Sequence, residues 1–311
     1  MKFLIIDEMH DSIVPLLKSI GIEPHYDPKI TKEEIVQTIG NYHGLVVRSK
    51  LFIDKEILES ANNLKFICRA GAGIDNLDVK EIEKRGIEII NAPEGNRNAV
   101  AEHCLGAAFS LINNIVKSDN EVRSGKWDRE GNRGHELKDK NLGIIGYGYM
   151  GSAVAHKFKH LVNKVCVYDK YKTGFSQENI VEVTLDQLFE ETDMLSIHVP
   201  LTEETSFMIN KGFISKFKKA IWLLNTSRGE VLKLSDLIQG LHSGKILGAA
   251  LDVLENEKIN LLNKDQQQDF DKLRGLSNVI LTPHVAGWSY ESYRQINEVI
   301  VKKLKAKLDD L

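Results

Sequence analysis

Three polar side-chain types that together handle an acidic substrate end apolar runs in the C-terminal half of this sequence. Residues 220–224 lead into Asn225-Thr226-Ser227-Arg228-Gly229, residues 247–251 into Asp252 with Glu255 and Glu257 beyond, and residues 279–281 into Thr282-Pro283-His284. Arginine grips a carboxylate bidentately and stays charged. Histidine titrates near neutral pH and exchanges a proton with a hydroxyl, while a carboxylate such as Glu257 orients the imidazole and raises its pKa. Arg228, Glu257 and His284 are therefore the set that hydride transfer at a 2-hydroxy acid requires.

Hydride needs a carrier, and the segment Gly146-Tyr147-Gly148-Tyr149-Met150-Gly151 follows an apolar run and precedes a helical one. Each glycine of this G-x-G-x-x-G has its own task. Gly146 makes the tight turn, Gly148 lets backbone approach a pyrophosphate, and Gly151 lets the helix lie close to the strand, so that helix N-terminal amides face the anion. The next apolar run ends at Asp169, 18 residues after Gly151, near the spacing of about 20 expected of the acid that bonds the adenosine ribose. Asp169 repels a 2′-phosphate, which favours NAD over NADP, and the adjacent Lys170 partly offsets that repulsion.

Such residues act together only if parallel strands deliver them to one sheet edge, since ligands of open α/β sheets bind beyond the strands' carboxyl ends. Short Val/Ile/Leu-rich runs do alternate with stretches of helical period. Strands are expected at residues 2–7, 44–48, 64–69, 87–91, 142–146, 164–169, 180–183, 194–199, 220–225, 246–252 and 278–282. Eleven strands overfill one sheet of this kind, and 311 residues at roughly 150 per domain give two domains. The strand-free segment from about 95 to 137 is where they join, through a helix over 99–116 that Asn96 or Asn98 caps. A second helix runs from about 291 to the end, and 254–274 reads as a polar surface excursion.

Composition fits this picture. With 42% hydrophobic residues, 27% charged and a net charge of −3, the chain matches a globular protein with no bulk attraction for nucleic acid or anionic membrane. No apolar run is long enough for a membrane span. Cys68, Cys104 and Cys166 form no C-x-x-C pair and read as buried thiols of a cytoplasmic protein. His156 and His160 have helical metal-pair spacing but lack a third ligand, so no metal is expected. Trp127 reads as a packing anchor.

The motifs Gly44-Leu45-Val46-Val47-Arg48-Ser49, Arg69-Ala70-Gly71-Ala72-Gly73-Ile74-Asp75-Asn76, residues 146–151, 225–229, 248–253 and Thr282-Pro283-His284, in that order, resemble those of the D-isomer-specific 2-hydroxyacid dehydrogenases, within them the shorter D-3-phosphoglycerate dehydrogenase-like members. The resemblance covers nearly the whole chain. It implies an α/β protein of two doubly wound parallel-sheet domains: a Rossmann-type NAD domain over 95–285, and a flavodoxin-like, discontinuous substrate domain from 1–94 plus 286–311. It further implies a homodimer built on the linking helix, and domain closure that excludes water.

By the same resemblance Arg228 grips substrate carboxylate and carbonyl, His284 is the base, and Glu257 is its paired acid. Tyr149 and Met150 give amides to the pyrophosphate. His198, Val199, Pro200, Thr226, Ser227, Arg228, Asp252, His284 and Gly287 line the nicotinamide side. Backbone around Ala72 and Gly73 binds the substrate carboxylate. Arg48 matches an arginine that faces a substrate phosphate, and Arg129 and Arg133 lie in a loop able to reach the cleft, which favours D-3-phosphoglycerate oxidation in serine biosynthesis. Lys258 departs from the family, which commonly has Pro after the acid. The chain ends without the regulatory domain of longer members, so serine feedback is not expected. A glyoxylate/hydroxypyruvate reductase is the enzymatic alternative. An NAD-sensing corepressor-like binding protein is the alternative of another class.

Overall fold

The computed structural model describes residues 1–310. The chain forms two compact units, Met1–Arg97 with the described part of Trp288–Leu311, and Asn98–Gly287.

The first unit is built on a five-stranded sheet of β1 (Lys2–Ile5), β2 (Glu23–Tyr26), β3 (Gly44–Val47), β4 (Phe66–Arg69) and β5 (Glu88–Asn91), all paired in parallel in the order β2-β1-β3-β4-β5. This is the flavodoxin-like order. Alternate residues feed opposite faces: Leu4, Leu45 and Ile67 enter one core, while Phe3, Val46 and Cys68 enter the other, which the C-terminal helix Tyr290–Asp309 completes with Ile296, Ile300 and Leu304. That helix begins at a capping box made by Ser289 and Ser292.

The second unit has seven parallel strands, β6 (Asn141–Ile145), β7 (Lys164–Tyr168), β8 (Ile180–Glu182), β9 (Met194–Ile197), β10 (Ile221–Asn225), β11 (Ile246–Leu251) and β12 (Val279–Leu281). Their order is β12-β11-β10-β9-β6-β7-β8. From β6 the chain winds outward to β8, then returns to β9 on the other side of β6 and winds to β12. The reversal between β6 and β9 is the switch point at which Rossmann sheets bind dinucleotides.

The structure corrects four local expectations. It adds β2, whose Glu-Pro-His-Tyr sequence is largely exposed at the sheet edge, where Pro is tolerated and no apolar pattern is required. The linking helix starts at Pro93 rather than near 99 and ends at Ile112. Asn96 and Asn98 lie inside it, because Pro at the first helical position has no N–H to lose. Asn114, left-handed at φ 54°, breaks the expected run, and a second helix, Ile115–Arg123, leaves at 59°. The polar stretch 254–274 does lie largely at the surface, and there it forms the helix Lys264–Arg274, capped by Asn263 and anchored by the buried Leu273. Trp127 is 78% exposed and anchors nothing within its own unit. Among the described residues, no single helix is long and apolar enough to cross a membrane.

Candidate active site

The glycine loop leaves β6 at the switch point. Gly146 turns at φ +93°, and a Cβ there would meet the His198 carbonyl oxygen at 2.6 Å. A Cβ on Gly151 would lie 1.9 Å from the Gly146 carbonyl oxygen, so the helix Tyr149–Phe158 sits directly against the turn. Around Gly148, the helix N-cap, a Cβ would meet nothing within 4 Å. Open space at Gly148, beside a ten-residue helix whose first amides lack intrahelical acceptors, fits the pyrophosphate of NAD.

Asp169 follows β7. Its carboxylate accepts hydrogen bonds from the backbone N–H groups of Tyr147 (2.6 Å), Tyr171 (2.9 Å) and Lys172 (2.9 Å). Burial opposes its charge, but these bonds outweigh that effect and lower its pKa. A fixed carboxylate beside the glycine loop suits ribose hydroxyls. His198, after β9, has an Nδ1 buried without a partner, an Nε2 2.8 Å from the Ser196 hydroxyl, and a pKa that burial pushes down to about 4. At neutral pH it is an uncharged wall of the loop. The Pro200 carbonyl accepts from the Thr205 hydroxyl at 2.6 Å, which folds the chain after Val199 into a turn.

After β10, the fully buried Asn225 shapes the loop carrying Thr226, Ser227 and Arg228. Its Oδ1 accepts from the Ser227 amide (3.0 Å) and hydroxyl (2.8 Å), and its Nδ2 donates to the Arg228 carbonyl (3.1 Å). Arg228 Nη1 donates to the Ser227 carbonyl at 2.6 Å. Gly229 leaves the loop against the Leu254 backbone, which a Cβ would strike at 1.9 Å. Thr226 Oγ1 lies 3.3 Å from the Cys104 sulfur, whose thiol burial pushes up to about 12. Cys104 is thus no nucleophile at neutral pH.

His284 and Glu257 meet. His284 Nδ1 lies 3.0 Å from one carboxylate oxygen and 2.9 Å from the other, with both side chains about half exposed (47% and 46%). This contact engages Nδ1 with Glu257 and leaves Nε2 outside the pair. The hydrogen bond to Glu257 is the largest influence on His284 and raises its pKa, against burial and the Arg228 charge. Glu255 is turned elsewhere: its carboxylate accepts from the Leu234 amide, and burial raises its pKa. After Glu257, the Lys258 amide donates to the Asn256 side chain at 3.0 Å, which fixes the turn.

His284 itself sits at φ +55°, a left-handed conformation that costs a non-glycine residue about 1–2 kcal/mol. Asp252, 2% exposed, holds it there. The Asp252 carbonyl accepts from His284 N at 2.8 Å, and its carboxylate accepts from the Thr282 hydroxyl (2.6 Å) and the amides of Val285 (2.9 Å) and Ala286 (2.7 Å). His103 Nε2 lies 3.2 Å from the same hydroxyl. The strand-end pattern singles out Asp252 and the family resemblance sets it beside the nicotinamide; in the structure its carboxylate fixes the segment leading to Gly287.

In the first unit, Arg48 follows β3 and Ala72 and Gly73 follow β4, neighbouring strands with the same direction. Asp7 accepts from the backbone N–H groups of Arg48 (2.7 Å), Ser49 (3.3 Å) and Lys50 (3.0 Å). The Arg48 guanidinium lies 3.6 Å from the centre of the Trp288 ring and 5.7 Å from that of Tyr293. No carboxylate lies within ion-pair distance of Arg48 among the described residues, and burial lowers its pKa. The Ala72 carbonyl accepts from Asn91 Nδ2 at 2.7 Å, leaving the 71–73 loop tied to β5. Arg129 and Arg133 are exposed, and Arg133 pairs with Glu130 at 2.7 Å.

Sequence reasoning missed Trp288, Tyr293 and Asp7. Their signal was weak, since an aromatic residue four positions after His284 has no motif of its own, and the partnership with Arg48 spans 240 residues.

The family described as D-isomer specific 2-hydroxyacid dehydrogenase, NAD binding domain, matches residues 105–286. The chain is 33% identical over 306 residues to a D-3-phosphoglycerate dehydrogenase of Archaeoglobus fulgidus, covering 98% of this chain and 56% of that protein. It is 35% identical over 279 residues to a hydroxypyruvate reductase of Thermotoga maritima, covering 90% and 89%. A solved D-lactate dehydrogenase from Aquifex aeolicus, complexed with NAD and lactic acid, matches with a TM-score of 0.84 at 27% identity, covering 100% of this chain and 96% of that one. The chain spans little more than half the length of the D-3-phosphoglycerate dehydrogenases it matches. It belongs to the D-isomer specific 2-hydroxyacid dehydrogenase family.

Proposed function

We propose that this chain reversibly oxidises the 2-hydroxyl of a D-2-hydroxy acid, with Arg228, Glu257 and His284 as its catalytic groups. The observation that carries the proposal is the His284–Glu257 pair at 2.9–3.0 Å, in the same unit as the glycine loop and Arg228. In the oxidative direction, His284 Nε2 takes the hydroxyl proton. Glu257 stabilises the imidazolium through Nδ1, and Arg228 holds the carboxylate in plane. NAD, when bound, supplies the hydride acceptor. Gly146, Gly148, Tyr149, Met150, Gly151 and Asp169 would hold its pyrophosphate and ribose, and His198, Val199, Pro200, Thr226, Ser227, Asp252 and Gly287 its nicotinamide side.

For the substrate we propose D-3-phosphoglycerate, oxidised to 3-phosphohydroxypyruvate as in serine biosynthesis, with Arg48 reading the phosphate and the backbone at Ala72 and Gly73 the carboxylate. What supports this is a cation stacked on Trp288 with no carboxylate partner among the described residues. A glyoxylate or hydroxypyruvate reductase is the alternative, favoured by the likeness to the Thermotoga maritima protein over nine-tenths of both chains. Measuring NADH formation with D-3-phosphoglycerate, and NADH oxidation with hydroxypyruvate and glyoxylate, separates the two. The higher kcat/KM should fall on the phosphorylated pair.

The same reading makes the protein a homodimer. Phe109, Ile115, Val116, Val122 and Trp127, all exposed, are clustered in sequence on and just beyond the linking helices, and exposed apolar groups of this size mark association surfaces. Three free, buried cysteines suit a reducing, cytoplasmic setting.

A further inference from the structure

The two lysines beside Asp169 decide whether the adenosine subsite can accept a second phosphate. Lys170 and Lys172 flank Tyr171 immediately after the acid, and the segment 169–182 contains no arginine. A 2′-phosphate brings about two negative charges at pH 7 and needs cations to meet them. From sequence alone Lys170 is a candidate for that task.

In the structure neither lysine is available. Lys172 Nζ donates to the Tyr147 carbonyl at 3.0 Å, tying it to the glycine loop. Lys170 Nζ forms an ion pair with Glu204, whose other carboxylate oxygen accepts from the Tyr171 hydroxyl at 2.9 Å. Glu204 comes from the far side of the switch point, in the turn after β9. That turn is built by reciprocal hydrogen bonds, Thr202 N to Thr205 Oγ1 (2.8 Å) and Thr205 N to Thr202 Oγ1 (3.2 Å), with Thr205 Oγ1 also donating to Pro200 (2.6 Å). Glu204 is thus presented by a fixed turn to a lysine 34 residues away in sequence.

We propose that Glu204 is a cofactor-specificity residue: by holding Lys170 away from the place a 2′-phosphate would take beside Asp169, it excludes NADP from the adenosine subsite. Glu204 acts through Lys170, not by touching NAD. Asp169, Lys170 and Glu204 together carry a net charge of −1. Removing the Glu204 charge leaves the trio neutral with Lys170 released. Removing the Asp169 charge as well makes it cationic. The pair is half exposed, so its effect is modest alone and grows when Asp169 no longer competes for the freed lysine.

This rests on the nucleotide-binding reading of the loop and on no assumption about which acid is oxidised. The test is therefore binding rather than turnover: dissociation constants of ADP-ribose and 2′-phospho-ADP-ribose, by calorimetry on the intact protein. Glu204→Gln should improve the ratio toward the phosphorylated ligand about three-fold. In an Asp169→Ser background the same change should improve it by at least ten-fold, and adding Lys170→Met should cancel the gain. Two results would overturn the proposal: a ratio that Glu204→Gln leaves unchanged in the Asp169→Ser background, or a gain that survives Lys170→Met. Should Glu204→Gln not fold, Glu204→Ala with Thr202 and Thr205 intact serves the same comparison. Failure of ADP-ribose to bind the wild-type protein would instead count against the nucleotide site as a whole.

Discussion

Asp252 fixes His284 in a left-handed backbone conformation. The Asp252 carbonyl accepts the His284 amide at 2.8 Å, and its carboxylate takes the amides of the next two residues at 2.9 and 2.7 Å. A buried carboxylate with several donors is an expensive thing to remove, because every donor it satisfied is left unpaired. Here the donors belong to the segment that positions the proposed base. Asp252→Ala should lower stability by about 3 kcal/mol in denaturant titrations and reduce kcat about 100-fold through displacement of the imidazole. A loss of stability with kcat intact would separate Asp252 from His284.

The pH dependence follows from the His284–Glu257 contact. The hydrogen bond to Glu257 raises the histidine above its ordinary pKa of about 6.5. Oxidation needs the neutral base, so its kcat/KM should rise with pH through a midpoint above 6.5, while reduction, which needs the imidazolium, should fall over the same range. Glu257→Gln should move both midpoints to lower pH. The contact's contribution to stability has the matching sign, present in full below the unfolded value and lost as pH climbs through the raised one. Profiles whose midpoints stay in place in Glu257→Gln would remove Glu257 from the role.

At the glycine loop, Gly151→Ala would place a methyl group 1.9 Å from the Gly146 carbonyl oxygen and 3.4 Å from His198 Cβ. These are backbone and wall atoms with nowhere to go, so the helix must shift away from the turn and carry its amides with it. NADH affinity, read by fluorescence titration, should fall at least ten-fold, with stability reduced by about 1–3 kcal/mol. Undiminished affinity would mean the loop does not hold the cofactor.

Arg48 tests the substrate. Arg48→Ala removes the cation stacked 3.6 Å from the Trp288 ring, and a charge-assisted contact to phosphate is worth about 1.5–3 kcal/mol. KM for D-3-phosphoglycerate should rise about ten-fold or more, with glyoxylate turnover little changed. Equal losses on both substrates would argue for the reductase alternative.

Much of this arrangement is legible in the sequence because parallel strands convert strand-end position into spatial position. Asp169, His198, Arg228, Asp252 and His284 each follow an apolar run, and in the structure each follows a strand of the seven-stranded sheet. Expected strands survive where burial dictates an apolar pattern, as at β6 and β10. The one strand the pattern does not reveal, β2, is a largely exposed edge strand held by pairing to β1. Partnerships were harder to read. Nothing local places Trp288 on Arg48, Glu204 on Lys170, or the Asp252 carboxylate on amides 33 and 34 residues away. Nor does composition reveal that Asn114 turns left-handed, because an apolar run continues on both sides of it.

On the proposed function, His284 is the acid–base group of an NAD-linked reaction at a 2-hydroxy acid. The most direct test of this role is steady-state NADH oxidation with 3-phosphohydroxypyruvate, hydroxypyruvate and glyoxylate, by the wild-type protein and by His284→Gln, alongside NADH binding to both. The expected result is turnover of at least one substrate by the wild type, and a kcat lowered by about 10²–10⁴-fold in the variant while NADH still binds. Unchanged turnover in the variant, or no turnover of any of the three by a wild-type protein that binds NADH, would contradict it.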